Sequence, residues 1–131
     1  MVKIHRDTTL RMRAVRGATT VDFDDSQLIH AAMRELLLTL ASCNDIEPEA
    51  VVSAIFTATP DLRAAFPAAA AREIGWTDVP MLCAAEIAVP ESQPRCLRVL
   101  LHVERTAAHA PLTPVYLREA ASLRPDLFAV T

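Results

Sequence analysis

A chain of 131 residues, 52% of them hydrophobic, is long enough for one domain with its own core, burying roughly two thirds of the surface it exposes when unfolded. A formal charge of −3 and an aromatic content of 5% disfavour a nucleic-acid partner, which requires a basic stripe with stacking platforms. Three cysteines, Cys43, Cys83 and Cys96, odd in number and without CxxC spacing, argue against a disulfide framework or zinc knuckle and for a reducing compartment.

Residues 1–10 read as a polar, flexible N-terminal arm of a single domain spanning 1–131. The arm holds no apolar run like that of a signal peptide. Nowhere does the chain approach the ~18 apolar residues of a membrane span, so a cytoplasmic protein with no membrane partner is expected. "LRMRAVRGATT", residues 10–20, reads as a first strand ending at Gly17. Asp24 followed by Gln27 resembles a capping box. Leu28, Ala32, Leu36 and Leu40, with Ile29 and Met33 beside them, form the apolar stripe of a helix to about Cys43. "EPEA" is a turn, and the β-branched run "VVSAIFTAT" is a second strand. Pro67 suits the first position of a short helix through "AAAARE", and Gly75 suits its C-terminal cap. "VPMLCA" is a third strand and "VPESQP" a turn bounded by two prolines.

"RCLRVLLHVE", residues 95–104, is a fourth strand. At period two, Leu97, Val99, Leu101 and Val103 fall on a core face. Cys96, Arg98, Leu100, His102 and Glu104 fall on the other, which either meets water or lines a polar cavity. "PVYLREAASLRPDL" fits a helix by its alanines and Pro114, and a strand by the eight-residue run before Pro125. Strand, helix, strand, helix, strand, strand describes an α+β protein, a mixed sheet with helices on one face.

Much familiar chemistry is missing. Two glycines, Gly17 and Gly75, cannot build a GxGxxG loop or a P-loop. His5, His30, His102 and His109 lack metal-ligand spacing, and no serine sits in a GxSxG elbow. Any reaction should therefore run without metal, nucleotide cofactor or activated nucleophile. What remains is a set of arginines near strand ends and turns, Arg16, Arg72, Arg98 and Arg124, together with Cys83 and Glu86 in "CAAE". In a regular strand Cys83 and Glu86 point to opposite faces, so a site shared by the two requires the chain to curl after Cys83.

"VRGATTV", "ATPDLRAAFPAAAAREIGW", "VPMLCAAE", "CLRV" and "VYLREAASLRPDL", in that order and spacing, resemble the trimeric monofunctional chorismate mutases of the AroH class, over about residues 13–127. The resemblance implies a five-stranded mixed sheet packed with two helices, three copies closing into a pseudo-α/β barrel, and active sites between subunits. It implies that residues 115–123 form a fifth strand, against their alanine content. Beyond the resemblance, residues 128–131 read as a short flexible tail.

The implied reaction rearranges chorismate to prephenate, on the route to phenylalanine and tyrosine, with no cofactor. By resemblance Arg98 is the cation at the breaking ether oxygen, Arg16 with Tyr116 holds a substrate carboxylate, and Glu86 and Cys83 receive the ring hydroxyl. Phe66 and Leu123 supply apolar walls, and Arg72 and Arg124 add positive charge at the mouth, with some of these residues expected from the neighbouring subunit. The chain departs from the family at Ala69, where members often carry a lysine, and in its "PESQP" turn. Two other readings stand beside this one. One is a non-catalytic trimer that binds a small carboxylate. The other is an enzyme of a similarly shaped trimer family acting on imines, which leaves "CLRV" with "CAAE" unexplained.

Overall fold

The computed structural model describes residues 8–124. Most of the N-terminal arm and the whole 128–131 tail therefore lie outside the described residues. Five strands, β1 (Arg11–Thr20), β2 (Val51–Ala58), β3 (Met81–Ala85), β4 (Cys96–Arg105) and β5 (Val115–Tyr116), form one sheet in the order β3-β2-β4-β1-β5. β4 runs antiparallel to both β1 and β2, whereas β2 pairs with β3, and β1 with β5, in parallel. The sheet is mixed, and β3 forms one of its edges.

Two helices, α1 (Ser26–Asn44) and α2 (Ala68–Glu73), cover one face. The core lies between them and the inward residues of the strands. Leu97, Val99, Leu101 and Val103 of β4 are buried, as their alternation requires, and meet Ala54 and Phe56 of β2 and Val15 of β1. Ile29, Ala32, Met33, Leu36, Leu37 and Leu40 press onto them from α1. Leu28, expected in that stripe, is 37% exposed, and Leu37 takes the inward place. The α1 cap is also one residue later than expected: the side chain of Asp25 accepts from Leu28 N at 3.0 Å. Asp24 Oδ1 instead accepts the amides of Arg63 and Ala64, both at 2.9 Å, which fastens the connection after β2 to the start of α1.

Gly17 does not end β1, which continues to Thr20. The reason for the glycine is proximity. A Cβ there would lie 2.8 Å from Leu40 Cδ1 and 3.0 Å from Leu36 Cδ1, so α1 sits against bare backbone. Gly75, by contrast, ends α2 with a φ of +93°, the conformation for which glycine suits a C-terminal cap.

The fifth strand is far shorter than the expected 115–123. Its last ladder bond is Leu117 N to Ala18 O, 2.9 Å. Arg118 then adopts a φ of +54°, and Arg118–Leu123 winds as a 3-10 helix. The alanine-rich run follows its local preference, and the small Ala120 lets that turn pack onto β1, beside Ala18, Cys96 and Tyr116.

The ends of β2 and β4 are tied by the "TPD" turn. Thr59 Oγ1 donates to Asp61 Oδ1 and accepts from Cys96 N at 2.9 Å, and Asp61 Oδ2 accepts from Arg95 N at 2.9 Å. Burial alone would push the Asp61 carboxyl up. The Thr59 hydroxyl and the Arg95 amide outweigh it and hold the group below the usual carboxylate range.

Candidate active site

Neither α1 nor α2 covers the second face of the sheet; the 118–123 turn packs onto it beside Ala18 and Cys96 and leaves the rest open among the described residues. Period two puts Arg16 and Ala18 of β1, Ile55 and Thr57 of β2, and Arg98 and Leu100 of β4 on it, and the register sets Arg98 between Ala18 and Thr57. The mixed face of β4 lines a cleft. Arg98 lies beside small and polar neighbours, with room on one side where Ala18 carries only a methyl group.

Glu86 reaches the same place from β3. The strand ladder continues past Ala85, because Glu86 N donates to Ala58 O at 2.9 Å, and the side chain turns over the open face. One carboxylate oxygen, Oε2, accepts from Thr57 Oγ1 at 2.8 Å, and Oε1 lies 3.1 Å from Arg98 Nε. The latter is an ion pair whose angle falls outside that of a hydrogen bond. The Glu86 side chain is 16% exposed and that of Arg98 41%, so the pair is neither deep nor fully wet. Glu86 engages the Nε edge of the guanidinium, and the Nη edge is the one that can turn toward a ligand.

Arg16, Ala18, Thr57, Arg98, Leu100 and Tyr116 line a cleft of about 220 Å³. It runs into a second hollow of about 260 Å³ that shares Arg16, Leu100 and Tyr116 and adds Arg124. Arg16, Arg98, Tyr116 and Arg124 therefore converge, with Glu86 at their side. Leu123 is half-buried against the Ala18, Cys96, Tyr116 and Ala120 cluster and supports this wall from the 3-10 turn.

Phe66 and Cys83 lie elsewhere. They share a separate cleft of about 540 Å³ with Thr59, Pro60, Arg63 and Ala84, between β3 and the segment leading to α2. The curl required for Cys83 and Glu86 to share a site within one chain does not form: β3 stays extended, Cys83 pairs with Phe56 and Ala84 with Thr57, and the two residues face opposite ways. Phe66 is 74% exposed at the rim of its cleft. Arg72 lines neither cleft and stands exposed in the last turn of α2, a favourable end for a cation. Ala69 is half-buried on the same helix.

Sequence reasoning passes over two residues. Thr57 is the hydroxyl that holds Glu86. Its signal is positional, since it shares a period-two face with Ile55 and stands opposite Arg98. Arg63 brings a positive charge to the cleft of Phe66 from a segment that reads as a connection.

Cys96 is fully buried next to Arg98. Burial pushes its thiol up to about 11; the nearby Arg98 charge opposes this, and Glu86 adds to it. It therefore remains a neutral thiol and no nucleophile near pH 7. Among the described residues no three His, Cys, Asp or Glu side chains converge as metal ligands would.

The family model described as chorismate mutase type I matches residues 12–127. Chorismate mutase AroH of Thermus thermophilus is 49% identical over 117 residues, covering 88% of this chain and 96% of that protein. Chorismate mutase AroH of Bacillus subtilis (strain 168) is 40% identical over 119 residues, 90% and 94% of the two chains. A solved chorismate mutase from Clostridium thermocellum superposes with a TM-score of 0.79 at 42% identity, covering 84% of this chain and 98% of the other. On a match that spans nearly all of its length, the chain belongs to the monofunctional, AroH-class type I chorismate mutases.

Proposed function

We propose that this chorismate mutase works through two half-sites that only neighbouring copies of the chain can join. The enzyme rearranges chorismate to prephenate. The observation that carries the proposal is the placement of Arg98, which Glu86 holds at its Nε edge and which opens onto a cleft with Arg16 and Tyr116.

The rearrangement is intramolecular. One carbon–oxygen bond breaks as a carbon–carbon bond forms, no proton is transferred, and electrons shift around a six-atom ring. Rupture of the C–O bond runs ahead, so negative charge grows on the ether oxygen. A fixed guanidinium there stabilises the transition state more than the ground state. Arg98 fills that role. Arg16 and the Tyr116 hydroxyl bind a substrate carboxylate and hold the flexible side chain folded over the ring, so that part of the entropy cost is met on binding. Arg124 adds positive charge at the edge of the cleft, and Leu123 backs its wall. Glu86 has two tasks, orienting Arg98 and receiving the ring hydroxyl. Nothing in this scheme requires a cofactor.

The second half-site holds Phe66, Cys83 and Arg63. Within one chain it faces away from Arg98, so a complete pocket requires the Phe66 cleft of one subunit to close over the Arg98 cleft of the next. A cyclic trimer does this three times by one repeated contact, its uncovered sheet faces forming a pseudo-barrel. Exposed Leu82, Ile87 and Val89 are apolar surface that such a contact would bury. Arg72 lies outside both clefts, and its part is long-range attraction of a dianionic substrate. The protein is a single-domain cytoplasmic enzyme of aromatic amino-acid synthesis in this reading; no helix among the described residues is long and apolar enough to cross a membrane.

Following the loss of chorismate's ultraviolet absorption with purified protein tests the activity. A first-order decay faster than that in buffer, stoichiometric in prephenate, is expected. A rate equal to buffer would overturn the assignment and leave a carboxylate-binding module on the same fold.

A further inference from the structure

At the far end of the sheet, the start of β1, the end of β4 and the loop after it enclose an open groove of about 420 Å³. Its charged lining is entirely basic: Arg11, Arg13 and Arg105, with His109 beside them. Arg11 and Arg105 are direct cross-strand partners, and Arg13 lies two residues along the same side of β1. Like charges opposite each other in a sheet repel. None of the three forms an ion pair among the described residues. This cluster is unexpected on a chain of net charge −3, and neither half-site uses it.

The groove has a built floor. Arg105 is 6% exposed, a buried cation without a carboxylate. Its Nη1 donates to Asn44 O at 2.7 Å and Asp45 O at 3.3 Å, and its Nη2 to Ala110 O at 2.9 Å, so the guanidinium fastens the end of α1 and the loop to β4. Its Nε, also buried, has no hydrogen-bond partner. A buried N–H left unmatched is costly, so this guanidinium is held as an uncompensated positive charge under the groove.

His109 is set by its own turn. Its Nδ1 accepts from Thr106 N at 3.0 Å and lies 3.1 Å from Thr106 Oγ1. The bond from the backbone N–H fixes Nδ1 as the acceptor, so the ring proton is on Nε2, free to donate. Arg11 makes no side-chain hydrogen bond among the described residues, and Arg13 only one, to the carbonyl of Met12 at 2.9 Å. Donors are in excess on every side. Ala14, Ala107, Ala110, Pro111 and Leu112 make the remaining wall apolar.

We propose that this groove is a second ligand site, separate from the catalytic clefts, for a small organic carboxylate. Arg11, Arg13 and His109 Nε2–H bind the anionic head, and the apolar body lies on Ala107, Ala110 and Leu112. Its size falls within the range of ordinary small-molecule sites. It shares Ala14 and Leu112 with the hollow that contains Arg16, Tyr116 and Arg124, so an occupant lies next to the strand and loop that carry half of the active centre.

The test uses the full-length protein carrying Arg98→Ala, to weaken anion binding at the catalytic cleft, labelled with ¹⁵N and titrated with benzoate, acetate and inorganic phosphate. Benzoate is expected to move the amide resonances of Arg13, Thr106 and His109 in a saturable way, with acetate weaker for want of an apolar body and phosphate weaker for the same reason. Adding Arg11→Ala and Arg13→Ala together should weaken benzoate by about tenfold or more, the scale of losing paired charge-assisted hydrogen bonds. The same double variant with Arg98 intact should turn over chorismate at the parent rate. Absence of a saturable benzoate response at these amides would overturn the proposal, as would a response that survives loss of both arginines. Tighter binding of phosphate than benzoate would replace the organic carboxylate with an inorganic oxyanion. Chorismate turnover is measured separately, so either assignment can fail alone.

Discussion

Thr57 and Arg98 stand directly opposite each other on adjacent antiparallel strands, and the carboxylate of Glu86 touches both side chains. The hydroxyl fixes one oxygen, which leaves the other beside the guanidinium, 3.1 Å from Arg98 Nε. Thr57 thus acts through Glu86, as a positioning residue. Thr57→Val keeps the shape and removes the donor; it is expected to lower kcat by roughly tenfold with a smaller change in KM, the scale of one hydrogen bond to a charged group. Thr57→Ser should retain most of the parent rate. Equal rates for the valine and serine variants would assign the residue to packing alone.

Removing the Arg98 guanidinium should cost far more. Loss of a preorganised donor to a developing oxyanion is typically on the order of 10²–10³ in rate, and Arg98→Ala should reach at least that. Arg98→Lys retains a charge without the planar fork whose Nη edge can turn toward the ligand, so it should restore only part of the loss. Steady-state kinetics with chorismate distinguishes these outcomes. Because the reaction transfers no proton, kcat of the parent enzyme should be flat between about pH 6 and 8, whereas a bell-shaped profile would point to acid–base chemistry.

Assembly can be tested by complementation. Arg98→Ala damages one half-site, and Phe66→Glu places a negative charge in the other. Each variant alone should be nearly inactive, and unfolding and refolding the two together should restore about a quarter of the parent activity, the random share of clefts built from two undamaged halves. Sedimentation of the parent should give three times the 14.3 kDa chain mass. Absence of recovery, or a monomer in solution, would place both halves of the site in one chain.

Gly17→Ala tests the closest approach of helix and sheet. The added methyl would meet fully buried Leu36 and Leu40, which must shift to admit it. A loss of about 1–3 kcal/mol is expected from urea unfolding, as for other overpacked cores.

Two groups contribute at opposite ends of the stability profile. The folded protein holds the Asp61 carboxyl below its usual range. Its contribution is present above the unfolded value of 3.8 and is lost as pH falls through the lower folded value. Cys96 runs the other way. Its folded thiol titrates near 11 against an ordinary 9.0, so stability is fully present below pH 9.0 and declines as pH rises through about 11. Chemical denaturation of Asp61→Asn should show a weaker acid limb, and that of Cys96→Ala a flatter alkaline one.

What the sequence makes legible depends on locality. The alternation of β4, the stripe of α1 and the Pro67 and Gly75 boundaries of α2 are short-range patterns, and each produced its element. Asp24 was the wrong cap because its carboxylate serves a connection some 40 residues away, and no local window contains that bond. The family pattern extended β5 to residue 123, whereas the alanines of 118–123 keep a helical turn once Arg118 leaves the ladder. For the site, residue types were easier to read than partners. Arg98, Glu86, Arg16 and Tyr116 converge as expected, but Cys83 and Phe66 fall in a different cleft, because strand parity sends Cys83 and Glu86 to opposite sides. Thr57 was invisible as a functional group, since only the cross-strand register brings it to Glu86.

The outer margin of β3 carries a further implication. That strand hydrogen-bonds β2 on one side only, and beyond it Leu82, Ile87 and Val89 are bare to water. On the proposed assembly, a newly made copy displays a sticky ribbon until companions cover it, and ribbons of this kind pair indiscriminately. Renaturation yield should peak at intermediate dilution: too sparse, and copies wait uncovered; too crowded, and they clump before docking in register.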